Sequence, residues 1–245
     1  MAGGVHGFAA ALTSFIGRDE PVREVAGLLD RHRLVTVTGP GGSGKTRLAG
    51  EVARQVAARF ADGAWLVELA ALADPAAVAT AVATALGVRE QPGVPAAEVV
   101  AQALARQQLL LVLDNCEHVI GAAASLCAGL LAAADDVRIL ATSREPLAVA
   151  GEARYRLGPL MLPGADDAWA GDCEAVALFA DRARRADAHF VLDGQTGPVA
   201  AEIVARLDGM PLAIELAAAR VEALGVAQLL DRIDDRFTLD RKSVV

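Results

Sequence analysis

The stretch Gly39-Pro40-Gly41-Gly42-Ser43-Gly44-Lys45-Thr46 decides the fold, because it matches the phosphate-binding pattern G-x-x-x-x-G-K-[ST]. A β-branched run over 34–38 precedes it and predicts a buried strand, and an apolar stripe after it predicts a helix over 46–60. Glycines let successive backbone N–H groups surround an anion, and the following helix adds its positive N-terminal end. The sequence therefore predicts a strand, a loop and a helix that together hold phosphate, rather than a glycine-rich turn that binds nothing.

Lys45 and Thr46 are the side chains of this loop that carry charge and metal chemistry. The chain has 21 arginines and only two lysines, and one of the two lysines is Lys45. A compact, flexible ammonium can reach β- and γ-phosphates, and the Thr46 hydroxyl is placed to ligate Mg²⁺. We expect the whole loop, with Arg47 beside it, to bind the nucleotide.

A second apolar strand, over 109–113, ends in Asp114. In a phosphate-loop fold such a strand delivers its carboxylate beside the metal, at the carboxyl end of the sheet. Thr46 and Asp114 are therefore the predicted Mg²⁺ ligands.

Two further charged side chains are candidates for catalysis. Asn115 stands where a second acid often follows, so Glu117 is the candidate that orients the attacking water, although it could equally be an acid that stabilises a helix N-terminus. A third strand, over 137–142, leads to Arg144, which at the same sheet edge could contact a γ-phosphate. The predicted catalytic group is therefore Asp114, Glu117 and Arg144.

Strand and helix signals alternate through the first two thirds of the chain, which predicts an α/β fold: a parallel sheet covered by helices. The predicted strands lie at 34–38, 64–69, 109–114, 137–142 and 154–157, and the helices between them at 19–31, 46–60, 75–86, 96–107 and 117–134. Beyond a linker over 160–171, helices alone are predicted, at 174–188, 196–207, 211–223 and 226–233. We expect a weakly ordered leader over 1–13, a nucleotide-binding domain over 14–160 and a small all-helical domain over 161–245.

Composition indicates which binding partners and which cellular compartment to expect. A net charge of −8, a pI near 5.0 and scattered arginines disfavour direct DNA contact. Three cysteines form no pairwise framework, which favours reduced thiols and a cytoplasmic location; metal binding by Cys116-Glu117-His118 is disfavoured against buried thiols. The longest uncharged apolar run, 119–134, is short for a membrane span, and no signal peptide is evident, so we expect no membrane contact.

Five motifs in this order resemble the ATPase core of STAND-class proteins, and more narrowly the NB-ARC-like module of bacterial transcriptional regulators of the LuxR and SARP types. They are Phe15-Ile16-Gly17-Arg18, the phosphate loop, Leu113-Asp114-Asn115-Cys116-Glu117-His118, Thr142-Ser143-Arg144-Glu145-Pro146-Leu147 and Gly209-Met210-Pro211-Leu212-Ala213. The resemblance covers about Leu12 to Phe237, nearly the whole chain.

The resemblance implies a switch that binds ATP or ADP with Mg²⁺. It implies that Ile16, Gly17 and Arg18 line the adenine and ribose side of the pocket, that Arg144 senses the γ-phosphate, and that Pro211 packs against adenine, so that nucleotide bridges the two domains. It also implies that the Arg144 strand lies between the phosphate-loop strand and the Asp114 strand. From the residues alone, a helix stop and restart is the favoured explanation of Gly209-Met210-Pro211.

Relatives of this kind continue into a winged-helix domain whose histidine holds ADP. The chain ends at Val245, near where that domain is expected, and His189 precedes the Gly-x-Pro motif and so does not match that histidine. We therefore expect a regulator module truncated before its winged helix, with self-association or association with a full-length regulator as its protein partnership.

Three functions remain open at this stage. The first is an ATP/ADP-binding module that hydrolyses ATP slowly, a weak ATPase. The second is a non-hydrolysing nucleotide-binding fragment, favoured by Asn115 and by the missing winged helix. The third is a small-molecule kinase, which would need neither the Phe15-Ile16-Gly17-Arg18 motif nor the helical domain. A GTPase is disfavoured because neither lysine lies in an Asn-Lys-x-Asp context.

Overall fold

The computed structural model describes residues 3–10, 12–89, 91–164 and 173–242. It divides into two compact units. The first comprises the chain up to Thr13, Asp19–Gly41 and Lys45–Leu157, and the second comprises Ser14–Arg18, Gly42–Gly44 and the chain from Gly158 onward. Most of the predicted linker, 165–171, and the last three residues of the chain lie outside the described residues.

The first unit is built on a six-stranded parallel sheet flanked by helices. Its strands are β1 (Val5–His6), β2 (Leu34–Thr38), β3 (Ala64–Glu68), β4 (Leu110–Asp114), β5 (Arg138–Ser143) and β6 (Glu152–Arg156), in the spatial order β1-β3-β4-β5-β2-β6. Every pairing is parallel. The predicted α/β fold is confirmed, and so is the position of β5 between β2 and β4.

Helices and short 3₁₀ turns connect these strands. The helices are α1 (Asp19–Arg31), α2 (Lys45–Val56), α3 (Val78–Ala85), α4 (Ala96–Leu104) and α5 (Ile120–Ala133), and the 3₁₀ turns are Ala57–Arg59, Pro75–Ala77 and Cys116–His118. The helix predicted over 117–134 is split, because Asn115 adopts the left-handed conformation (φ 64°) and the chain makes a 3₁₀ turn before α5 begins.

Strand register brings the functional strand ends to one edge. Thr38 at the end of β2 pairs with Ser143 at the end of β5, and Leu113 in β4 pairs with Ala141 in β5. The central strand β4 is buried along its whole length, as expected for a parallel strand covered on both faces. The carboxyl ends of β2, β4 and β5 therefore present their next residues at the same edge of the sheet.

The predicted leader contains a two-residue strand. Val5–His6 pairs with Ala64 and Trp65 of β3, the Gly4 carbonyl accepts a hydrogen bond from the Ala64 N–H (2.9 Å), and the rings of His6 and Trp65 stack with centroids 4.0 Å apart. A two-residue strand is held by backbone hydrogen bonds to the edge of β3, and it is too short to show periodicity in the sequence.

The second unit is helical. It contains α6 (Glu174–Ala186), α7 (Thr196–Arg206), α8 (Pro211–Ala218) and α9 (Val221–Lys242), and α9 is interrupted at Gly225, whose φ of 69° and ψ of 161° are not helical. Phe179, Ile203 and Ile214 are fully buried in its core. No helix in the described part of the chain is both long enough and apolar enough to cross a bilayer.

Gly209 provides a test of this packing. Its φ is 63°, its carbonyl accepts a hydrogen bond from the Leu160 N–H (2.9 Å), and an added Cβ would lie 2.5 Å from the Leu160 carbonyl oxygen. We predict that Gly209→Ala lowers the free energy of unfolding by about 1–3 kcal/mol, because strain and the clash add. Urea denaturation followed by circular dichroism measures the change.

Gly194→Ala is the matched control, because nothing lies within 4 Å of a Cβ at that position. It should change the free energy of unfolding by less than about 0.5 kcal/mol. Equal effects of the two substitutions would show that the Gly209 contact with Leu160 is not formed.

Candidate functional site

The phosphate loop leaves the end of β2 and leads into α2, as predicted. Gly42 and Gly44 adopt φ angles of 77° and 87°, a left-handed conformation that glycine adopts without a steric cost. Ser43 between them is not among the residues with positive φ, so the sign of φ alternates along the loop. This alternation turns successive backbone N–H groups toward one side, which makes a nest for an anion. Ser43 between them is fully buried.

Lys45, the first residue of α2, is folded back onto its own loop. Its Nζ donates hydrogen bonds to the carbonyls of Gly39 and Pro40, both at 3.0 Å, and only 9% of the residue is exposed. Burial lowers the pKa of Lys45; the negative charge of Glu117 opposes this shift, Arg144 adds to it and Asp114 opposes it. The ammonium is therefore held within the loop, close to three charged side chains.

The two predicted Mg²⁺ ligands are in contact. The Thr46 hydroxyl donates to the Asp114 carboxylate, at 2.8 Å from Oδ1 and 3.0 Å from Oδ2. Among the described residues no group of three or more His, Cys, Asp or Glu side chains is placed to hold a metal ion. A pair of oxygen ligands fits Mg²⁺, which commonly takes one or two protein ligands and completes its shell with water and phosphate oxygens.

Thr142, near the end of β5, is a site residue that sequence reasoning missed. Its hydroxyl donates to Asp114 Oδ1 (2.6 Å) and accepts from the Asn115 N–H (2.9 Å), and it is 1% exposed. It therefore fixes both the carboxylate and the turn that follows. The sequence feature that could have indicated this role is a hydroxyl residue near the end of the strand adjacent to the Asp114 strand.

Glu117 and Arg144 form an ion pair at this edge. Arg144 Nε donates to Glu117 Oε1 (3.2 Å), with 17% of the Glu117 side chain and 68% of the Arg144 side chain exposed. Glu117 Oε2 is buried and has no hydrogen-bond partner among the described residues. An Arg144 Nη2 atom lies 3.8 Å from where a Cβ on Gly41 would be, so the guanidinium reaches the phosphate loop.

Asn115, Cys116 and His118 have local roles in the turn. His118 Nε2 lies 2.9 Å from the carbonyl oxygen of Leu69, which can only accept, so Nε2 carries the proton and Nδ1 accepts from the Asn115 amide (3.4 Å). Cys116 is fully buried, and burial raises the pKa of its thiol. These contacts hold the turn that carries Glu117.

The second unit carries Gly17, Arg18 and Pro211. Arg18 is 5% exposed; its guanidinium donates to the carbonyls of Ser43 and Gly158. Its backbone N–H donates a hydrogen bond to Glu174 Oε1. A Cβ added to Gly17 would collide with the same Glu174 side chain. Pro211 opens α8, and the next N–H, of Leu212, donates to the Gly42 carbonyl (3.2 Å).

Arg47 belongs to the first unit. Its Nη2 donates to the Thr13 carbonyl (3.0 Å), so it anchors the end of the leader to α2. Its predicted role in nucleotide binding stays a prediction.

Residues 29–150 match a protein-family model described as AAA domain. This segment contains β2 to β5, the phosphate loop, Asp114, Glu117 and Arg144. Over residues 29–150 the chain is therefore similar to AAA-type P-loop ATPase domains.

Relatives of this chain occur in Mycobacterium tuberculosis. The chain is 41% identical over 234 residues to "Uncharacterized protein Rv0894", a match that spans 96% of this chain and 57% of the relative. It is 42% identical over 212 residues to "Putative HTH-type transcriptional regulator Rv0890c", a match that spans 86% of this chain and 23% of the relative. The chain thus spans less than two thirds of the length of these relatives.

Solved structures share the fold. One is the STAND protein PH0952 from Pyrococcus horikoshii, which carries a tetratricopeptide repeat sensor; the TM-score is 0.54 at 15% identity, over 84% of this chain and 30% of that one. Another is AMPPCP-bound DnaA from Aquifex aeolicus, with a TM-score of 0.52 at 14% identity, over 91% of this chain and 68% of that one. At these identities the likeness shows the fold alone.

Thr142→Val tests whether the Thr142 hydroxyl stabilises the position of Asp114. Valine keeps the shape but removes the hydroxyl, so the Asn115 N–H loses its acceptor and the Asp114 carboxylate loses a donor. We predict a loss of about 1–3 kcal/mol in the free energy of unfolding, measured by urea denaturation. Thr142→Ser, which keeps the hydroxyl, should retain most of the stability, and a serine variant as unstable as the valine variant would argue against this hydrogen-bond role.

Proposed function

We propose that this chain is the nucleotide-binding switch module of a transcriptional regulator: it binds ATP or ADP with Mg²⁺ and hydrolyses ATP slowly. One observation carries the proposal. Within the first unit, Lys45, Thr46, Asp114, Glu117 and Arg144 converge at the carboxyl edge of a parallel sheet, where α/β proteins bind their ligands.

Each of these side chains has a role in the proposal that suits its contacts. Lys45 holds the β- and γ-phosphates, since its present acceptors are only backbone carbonyls that a phosphate can replace. Thr46 and Asp114 hold Mg²⁺, which neutralises phosphate charge when bound. Arg144 contacts the γ-phosphate, and Glu117 orients the attacking water and accepts its proton.

In the same proposal, the remaining predicted site residues contact the nucleotide. Gly39, Pro40, Gly41, Gly42, Ser43, Gly44 and Arg47 bind the phosphates, and Gly17 and Pro211 contribute to the adenine and ribose side, as the resemblance implies. The resemblance places Arg18 on that side too, but its guanidinium contacts the Ser43 carbonyl of the phosphate loop instead. We propose a nucleotide-binding domain over 14–160 and a helical domain over 161–245.

The regulatory role is supported by similarity to the much longer relative named as an HTH-type transcriptional regulator, of which the match covers 23%. We propose that the chain is an NB-ARC-like module of the LuxR or SARP type, that it works in the cytoplasm without touching DNA itself, and that it associates with itself or with a full-length regulator.

A second candidate is a module that binds nucleotide without hydrolysing it. Asn115 follows Asp114 in place of an acid, and the acid that is present, Glu117, is paired with Arg144. The Arg144 guanidinium occupies Glu117 Oε1, which is then not available to accept a hydrogen bond from an attacking water. Single-turnover kinetics therefore separate the two candidates.

Lys45→Ala tests nucleotide binding. Removing the ammonium should weaken ATP and ADP binding by about 10- to 100-fold, because a charged hydrogen bond to phosphate is lost. Isothermal titration calorimetry with ATP, ADP and GTP measures it, and Lys242→Ala, which removes the other lysine, is the matched control. Normal binding by Lys45→Ala would refute the phosphate-loop assignment, and equal affinity for GTP would refute the adenine preference.

Glu117→Gln tests hydrolysis. The amide keeps the size and an acceptor oxygen but cannot take a proton, so single-turnover hydrolysis should slow by about 10²- to 10⁴-fold while ATP affinity stays within a few-fold. Rapid quench with labelled ATP follows the reaction. If the unmodified protein turns over no faster than Lys45→Ala, the binding-only candidate is correct.

A further inference from the structure

We propose that Arg18 is a positioning residue for the phosphate loop: by holding the Ser43 carbonyl it aims the loop's N–H groups at bound polyphosphate. This inference rests on the proposed function, because it concerns how that loop binds phosphate. It gives Arg18 a role that the resemblance, which implies adenine and ribose contact, does not include.

The backbone of Arg18 is held in an uncommon conformation. Its φ is 68°, a left-handed value that a non-glycine residue seldom adopts unless its surroundings impose it. Glu174, at the start of α6, supplies the constraint: Oε1 accepts from the Arg18 N–H (2.7 Å), and Oε2 accepts from the Met161 N–H (3.2 Å). The side chain is thus directed by a contact that spans 156 residues of sequence.

The guanidinium bridges two backbone carbonyls. Nη1 donates to the Ser43 carbonyl and Nη2 to the Gly158 carbonyl (2.9 Å), and the residue is 5% exposed. A planar guanidinium presents two donors in a fixed fork, so it can hold both oxygens at once, whereas an ammonium is a single compact charge.

Holding the Ser43 carbonyl fixes the next N–H. In a planar trans peptide the carbonyl and the following N–H point in opposite directions. Because the Ser43 carbonyl points at Arg18, the Gly44 N–H must point away from Arg18. A nest binds an anion more tightly when its N–H groups are already aligned, because less ordering is needed on binding, so Arg18 pre-organises this one.

The absence of a side chain at Gly44 leaves space for the Arg18 guanidinium. The φ of Gly44 is 87°, and an added Cβ would lie 3.1 Å from Arg18 Nη1. The glycine therefore leaves room for the guanidinium to reach the Ser43 carbonyl. The positive charge beside the loop also favours any bound anion, whatever is attached to its phosphates.

These contacts predict a loss of affinity that does not depend on the base. If Arg18 acts through the loop, its removal weakens ATP and inorganic tripolyphosphate by the same factor. If Arg18 instead contacts adenine or ribose, its removal weakens ATP and leaves tripolyphosphate unchanged.

The experiment measures both ligands on Arg18→Met and Arg18→Lys by calorimetry with Mg²⁺ present, with circular dichroism and thermal melting to verify folding. Arg18→Met should weaken both ligands about 10-fold or more and by equal factors, and Arg18→Lys, which keeps the charge but not the fork, should lose less. Arg23→Met, which removes an exposed arginine of α1, is the matched control and should bind both ligands normally.

Should Arg18→Met fail to fold, Glu174→Gln provides the second variant, because an amide can accept at only one of the two N–H groups that Glu174 now holds. It should weaken both ligands by equal factors too. A variant that loses ATP but not tripolyphosphate overturns the inference in favour of base or ribose contact, and unchanged binding of both overturns it outright. An unmodified protein that binds neither ligand overturns the proposed function itself and the inference with it.

Discussion

The hydrogen bonds to the Asp114 carboxylate are the constraint on which the first unit's site depends. Asp114 is 6% exposed, and a buried carboxylate is unfavourable unless donors replace the water it has lost. Thr46 supplies one hydroxyl from α2 and Thr142 supplies another from β5. One carboxylate at the end of β4 thereby joins a helix and the adjacent strand, and the position of the first turn of α2 relative to the sheet edge follows from that junction.

Much of this unit could be predicted from sequence because its signals are local. The strand before the loop, the apolar strand ending in Asp114 and the strand leading to Arg144 all carry continuous apolar runs, which parallel strands buried on both faces require. Once these strands lie parallel, their carboxyl ends share one edge, so the meeting of Thr46 and Asp114 follows from topology.

The features that could not be predicted depend on contacts between residues far apart in sequence. The Thr142 hydrogen bonds link neighbouring strands 27 and 28 residues apart, and no local pattern marks them. The β1 strand depends on backbone hydrogen bonds to β3 that leave no periodicity. In the second unit, Ser14 donates to Asp181 (2.8 Å), and Arg182, 8% exposed, donates to the Ser14 carbonyl and to Glu215. A short segment near the start of the chain is thus bound to helices more than 160 residues later.

The ion pair of Glu117 and Arg144 bears directly on whether the module hydrolyses ATP. The Arg144 side chain is 68% exposed and the Glu117 side chain 17% exposed, so water solvates the guanidinium and weakens its attraction to Glu117. A phosphate carries more negative charge and more acceptor oxygens than a carboxylate, so a γ-phosphate competes well for the guanidinium at little cost. Release of Arg144 would leave Glu117 with Oε2 already without a partner and Oε1 newly free. In the proposed function, an acid three residues beyond Asp114 is compatible with hydrolysis, because a γ-phosphate bound at Arg144 would break the pairing that restrains Glu117, whereas ADP lacks that phosphate.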